Sequence, residues 1–119
     1  MVVLKENNKV EPQPESTVES TNGLPRLVDL GAGKCAACKM MTPILEEIKQ
    51  EYSGIFDVEF IDVWQSPDAG EKYGVRIIPL QIFYDGSGNE LFRHEGFFSK
   101  DDILGKWHEL GIDIKKKLE

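Results

Sequence analysis

Residues 26–52, "RLVDLGAGKCAACKMMTPILEEIKQEY", change their apolar period partway along. "RLVDL" is a short apolar run with the length of a strand. After "GAGK", residues Ala37, Met40, Met41, Ile44, Leu45, Ile48 and Tyr52 recur at helical spacing and form one apolar face. A strand that feeds directly into an amphipathic helix must lay that helix back over a sheet, because neither apolar face can be left in water. This joint constrains the fold more than any other feature. It also puts both cysteines of the chain, Cys35 and Cys38, in the first turn of the helix.

The helix is predicted from about Ala36 to Tyr52, with Ser53-Gly54 ending it and Pro43 kinking it through a lost backbone hydrogen bond. "IFDVEFIDV" follows as a second strand with Phe56, Val58 and Phe60 alternating. Ser66-Pro67-Asp68 opens a short helix, with Ser66 as N-cap and proline at the first position. "LQIFY" and "ELFRHE" flank the hairpin signal "DGSGN". Ser99 through Asp102 has the form of a capping box before a last helix carrying Ile103, Leu104, Trp107 and Leu110, which stops at Gly111. The first two strands and their helix form a right-handed parallel βαβ unit, and the last two strands an antiparallel hairpin. The fold class is α/β: a mixed sheet of four strands with helices on both faces, or five strands if "VVLK" near the N-terminus adds an edge strand.

Three segments follow. Residues 1–23 hold no aromatic side chain and are dominated by polar and charged residues, so they read as a flexible acidic arm. Residues 24–111 are the folded domain, and residues 112–119 a polar C-terminal tail. The chain of 119 residues is long enough to bury a core without disulfide staples. Its net charge of −7 argues against nucleic acid as a partner. No apolar run approaches the roughly 20 residues of a membrane-spanning helix.

"GAGKCAACK" at 31–39 invites three chemistries. A phosphate loop needs a glycine five residues before Gly33 and a hydroxyl residue after Lys34. Val28 and Cys35 stand at those places, so nucleotide binding fails. A structural zinc site needs four ligands, and the two cysteines have only His94 and His108 to join them, at a spacing that matches no zinc finger. Both histidines read as partly exposed surface residues, and no metal is expected. Redox chemistry fits the placement. Backbone N–H groups and the positive end of the helix dipole stabilise a thiolate at Cys35, and Cys38 lies one turn further in, near enough to bridge.

At this point the chain resembles a known family. "LVDLGAGKCAACKMMTPILEEI" is similar to the active-site strand and helix of thioredoxins, "YGVRIIP" to their approach to a cis-proline loop, and "EGFFSKDDIL" to their last strand and helix start. The "CAAC" and short N-terminal lead also resemble the C-terminal domains of membrane thiol reductases. The thioredoxin resemblance covers about residues 24–111. It implies that Cys35 is the nucleophile, Cys38 the resolving thiol, Asp29 the buried acid beneath Cys38, and Pro79 a cis-proline facing the disulfide. Ile78, Pro79, Gly96 and Lys34 would meet the substrate.

Simple chemistry is consistent with these roles. An aspartate inside "LVDL" is costly to bury charged, so its pKa should rise and it can exchange protons with Cys38. The plain alternatives are that Asp29 twists into water, that Pro79 is an ordinary trans turn and that Gly96 is a bulge. The chain also departs from the family. Lys34 stands where a tryptophan is usual, Ala36-Ala37 replace Gly-Pro, Leu80 follows the proline where threonine is common, and Phe60 replaces a lysine near the buried acid.

The function expected is reduction of protein disulfides by dithiol–disulfide exchange, in a bacterial setting, with no bound cofactor. An unidentified electron donor, a reductase or a membrane thiol carrier, is implied, and the protein is expected to be a monomer. The alternatives are an oxidase or isomerase, since direction follows potential, or a metal- or partner-binding module without enzyme activity. If Met1 is an added start and Leu118-Glu119 a cloning remnant, residues 2–23 become a tether that links a removed signal or membrane anchor to this domain, which then faces the bacterial envelope. The alternative is a cytoplasmic protein with a ragged N-terminus.

Overall fold

The computed structural model describes residues 23–115. The elements run β1 (Arg26–Gly31), α1 (Ala36–Glu51), β2 (Asp57–Asp62), α2 (Pro67–Lys72), β3 (Leu80–Tyr84), β4 (Glu90–Glu95) and α3 (Lys100–Glu109). Among the described residues the sheet has four strands in the order β2-β1-β3-β4. β1 pairs parallel with β2, and β3 pairs antiparallel with both β1 and β4. The expected mixed four-stranded sheet is therefore present. The "VVLK" segment lies outside the described residues.

β1 is buried along its whole length because it is central and covered on both faces. Alternation then sorts its side chains. Leu27 joins Phe83, Met41, Leu45, Ile48, Tyr52, Phe56, Ile103 and Trp107 in the larger core, between the sheet and the α1/α3 layer. Val28 and Leu30 join Leu80 and Ile82 on the opposite face, where Tyr73 and Val75, at and beyond the end of α2, pack over them. Trp107 is fully buried and meets Phe83 edge-on at 4.9 Å and Phe56 at 5.1 Å.

Several local expectations hold. The Ser99 hydroxyl accepts the Asp102 N–H, and the Asp85 carboxylate accepts the N–H groups of Ser87 and Asn89 to close the hairpin. Others do not. Ser66 makes no side-chain cap hydrogen bond, although Pro67 does begin α2. Met40 fits the apolar face of α1 by spacing but is 56% exposed. It lies one position off the buried line of Cys38, Met41, Leu45 and Ile48. Phe60 alternates correctly on β2 yet is 50% exposed, because β2 is an edge strand among the described residues. Ile112 and Ile114, read as part of a polar tail, pack against the larger core.

Candidate active site

β1 and α1 converge where the sheet ends. Cys35 is the N-cap of α1, with extended backbone (φ −82°, ψ 121°), and its Sγ accepts the Cys38 N–H at 3.2 Å. Cys35 is thus a half-buried residue at a helix N-terminus, where unpaired backbone N–H groups and the helix dipole favour negative charge. Cys38 lies one turn in, is 3% exposed, and is joined to Cys35 by a disulfide with a Cα–Cα distance of 5.1 Å. The sequence placed one cysteine outside and one inside, and the structure does the same. Lys34, next to Cys35, is exposed.

Cys38 rests on Gly31 at the end of β1. A Cβ at Gly31 would fall 2.9 Å from Cys38 Sγ and 3.3 Å from the Phe60 ring, so only glycine leaves room for the sulfur. Asp29 precedes Gly31 by two residues and points to the same face. It is fully buried, so it does not twist into water. Burial pushes its pKa up to about 6, against the opposing effect of a hydrogen bond from Gln81. Gln81 Nε2 donates to Asp29 Oδ1 at 3.0 Å.

The Ile78–Pro79 peptide bond is cis, as expected, and Pro79 is buried. The Pro79 carbonyl accepts the Gly96 N–H at 2.7 Å. Gly96 sits at φ +102°, a conformation that a side chain would strain, so the closeness of the two loops is built into the backbone. Ile77 and Phe97 flank this clasp in sequence and are 51% and 40% exposed.

Pairing of Leu30 with Leu80 brings the Pro79–Gly96 clasp to the end of β1 at which Gly31 meets Cys38. His94 stands on β4, paired in register with Gln81 and two residues before Gly96, and His108 stands on α3. The His94 ring stacks on Phe98 at 4.0 Å, with Nε2 3.1 Å from the Phe97 carbonyl, and His108 is exposed on α3. Among the described residues, no three His, Cys, Asp or Glu side chains cluster as metal ligands would. Sequence reasoning missed Gln81. Its one signal was a polar residue in the middle of the apolar strand "LQIFY".

A disulfide closed across the first turn of a helix, over a mixed sheet with a buried acid in its central strand, defines the class of α/β folds that carry a Cys-x-x-Cys pair at a helix start. The thioredoxin family model matches residues 8–109, and this chain belongs to that family. It is 46% identical over 63 residues to thioredoxin C-2 of Corynebacterium nephridii, covering 52% of this chain and 58% of that protein. With thioredoxin 1 of Synechococcus elongatus it shares 39% over 66 residues, covering 55% of this chain and 62% of that protein. A Staphylococcus aureus thioredoxin is 44% identical over 78 residues, covering 66% of this chain and 74% of that one. The chain therefore spans about three-fifths of the first two curated relatives it matches. In fold it is similar to chloroplastic thioredoxin z, with a TM-score of 0.70 at 23% identity over 79% of this chain and 84% of that chain.

Proposed function

We propose that the protein reduces disulfides in protein substrates through Cys35 and Cys38. The observation that carries this reading is the asymmetric pair: a half-buried Cys35 at a helix N-terminus, and a buried Cys38 packed on Gly31, two residues along the same strand from the buried carboxyl group of Asp29. The Cys35 thiolate attacks one sulfur of the substrate disulfide. A mixed disulfide forms and one substrate thiolate leaves. Cys38 gives its proton to Asp29, attacks the Cys35 sulfur and closes the Cys35–Cys38 disulfide, and the second substrate thiolate leaves. The substrate gains two electrons and the protein loses two. A thiol donor, a reductase or a membrane carrier, must return them.

Lys34, Ile78, Pro79 and Gly96 are assigned to substrate contact. The exposed apolar side chains of Ile77 and Phe97 on either side of the clasp support this, since an extended protein segment needs such a surface to settle on.

Brief alkylation of the reduced protein tests the order of attack. Cys35 should label first, and Cys38→Ser should accumulate the mixed disulfide with a protein substrate. Preferential labelling of Cys38, or no turnover of any protein disulfide by the reduced chain, would overturn the reading.

A further inference from the structure

The carboxyl group of Asp29 belongs to a row that crosses the sheet. Strand register sets Phe60, Asp29, Gln81 and His94 side by side on β2, β1, β3 and β4, on the face beneath α1. Gln81 is fully buried, like Asp29, and lies 52 residues away in sequence. A buried amide in a central strand is costly unless it is paired, and here its pairing is with the one carboxyl group buried among the described residues. On the other side of Asp29 stands Phe60, which has nothing to donate.

We propose that Gln81 is a positioning residue for Asp29: its amide holds Oδ1 and leaves Oδ2 as the atom that exchanges a proton with Cys38. This rests on the dithiol reading above.

Two further atoms support it. Asp29 Oδ2 and Gln81 Oε1 are both buried and have no hydrogen-bond partner. Both are acceptors when Asp29 is ionised, so the site lacks a donor. A proton arriving on Oδ2 supplies one. Cys38, packed on Gly31 two residues further along the same strand face, is a titratable source on α1 when reduced. The Gln81 amide, meanwhile, keeps the carboxylate from becoming too hard to ionise in its buried place, because N–H donation favours the charged form. The other titratable groups around this face are Cys35 on α1, Asp62 on β2, two residues beyond Phe60, and His94 on β4. Gln81 stands between Asp29 and His94.

The test is the titration of Asp29 in the oxidised protein, followed by its side-chain carboxyl carbon signal. There the disulfide removes both thiols from the titration. Gln81→Leu deletes the donor and should move the midpoint upward by about one pH unit, the scale of a charge-assisted hydrogen bond. With a starting midpoint of about 6, the ionised fraction at pH 6 then falls from about one half to about one tenth. Resolution of the mixed disulfide should slow about fivefold at pH 6 and converge with wild type near pH 8.

Gln81→Met provides a second donor-free variant if leucine prevents folding. A midpoint that stays put or falls in either variant overturns the proposal. So does a shift that disappears in a His94→Gln or Asp62→Asn background, which would assign the coupling elsewhere. If the wild-type protein reduces no disulfide at all, the functional reading fails, while the titration in the oxidised protein still decides the Asp29–Gln81 coupling.

Discussion

Replacing Asp29 with asparagine should stabilise the oxidised protein, and by an amount that depends on pH in one direction only. Asp29 is fully buried, and its pKa is raised from 3.8 to about 6 by desolvation. A carboxyl group with a raised folded-state pKa favours folding while it is neutral. Its contribution is complete below the unfolded value, near 4, and is lost as pH rises through about 6. The shift of about two units corresponds to about 3 kcal/mol between those limits, at 1.36 kcal/mol per unit.

Asparagine keeps an acceptor for the Gln81 amide and cannot ionise. The stability difference between Asp29→Asn and wild type should therefore grow by about 2.5 kcal/mol from pH 4 to pH 7, most of the full amount, and then level off. Urea unfolding of both oxidised proteins at half-unit pH steps measures it, with equal m-values required for the comparison. The oxidised state matters because neither cysteine then titrates. A difference that is flat across pH 4–7 would refute the reasoning, since it would mean that Asp29 ionises as easily in the fold as outside it. A difference that shrinks with rising pH would mean that a favourable charge had been overlooked.

Two other substitutions test the packing that supports the site. Gly31→Ala places a methyl 2.9 Å from Cys38 Sγ, and should cost about 1–3 kcal/mol by overpacking; thermal unfolding of the oxidised protein reads this, and an unchanged melting temperature would show that Cys38 is free to move aside. Trp107→Ala empties the centre of the larger core and should cost about 3–5 kcal/mol in denaturant unfolding, while the much smaller loss expected for the 56%-exposed Met40→Ala checks that the cost follows burial.

The lesson for reading such chains lies in which features are local. The strand-to-helix joint at 26–52 was legible because a change of apolar period, a glycine-rich turn and a cysteine pair all occur within one short stretch. The Ser99 cap and the Asp85 hairpin are equally local and appear as expected. The short helix after Ser66 also formed, but its cap did not, because proline at the first position can start a helix without the serine hydroxyl.

By itself the sequence determined that a strand leads into a helix whose first turn carries Cys35 and Cys38, and that the last two strands form a hairpin. Only the tertiary structure decided what surrounds the cysteines. Strand register, set by pairing across the whole chain, brought Gln81 to Asp29 and left Phe60 on the edge of the described sheet. The rotation of α1 against that sheet buried Met41 and exposed Met40, though both fit a helical stripe. Periodicity identifies a face within one element. Which neighbour meets that face, and which polar group is buried beside which, depends on contacts between residues far apart in sequence, and no local pattern encodes those.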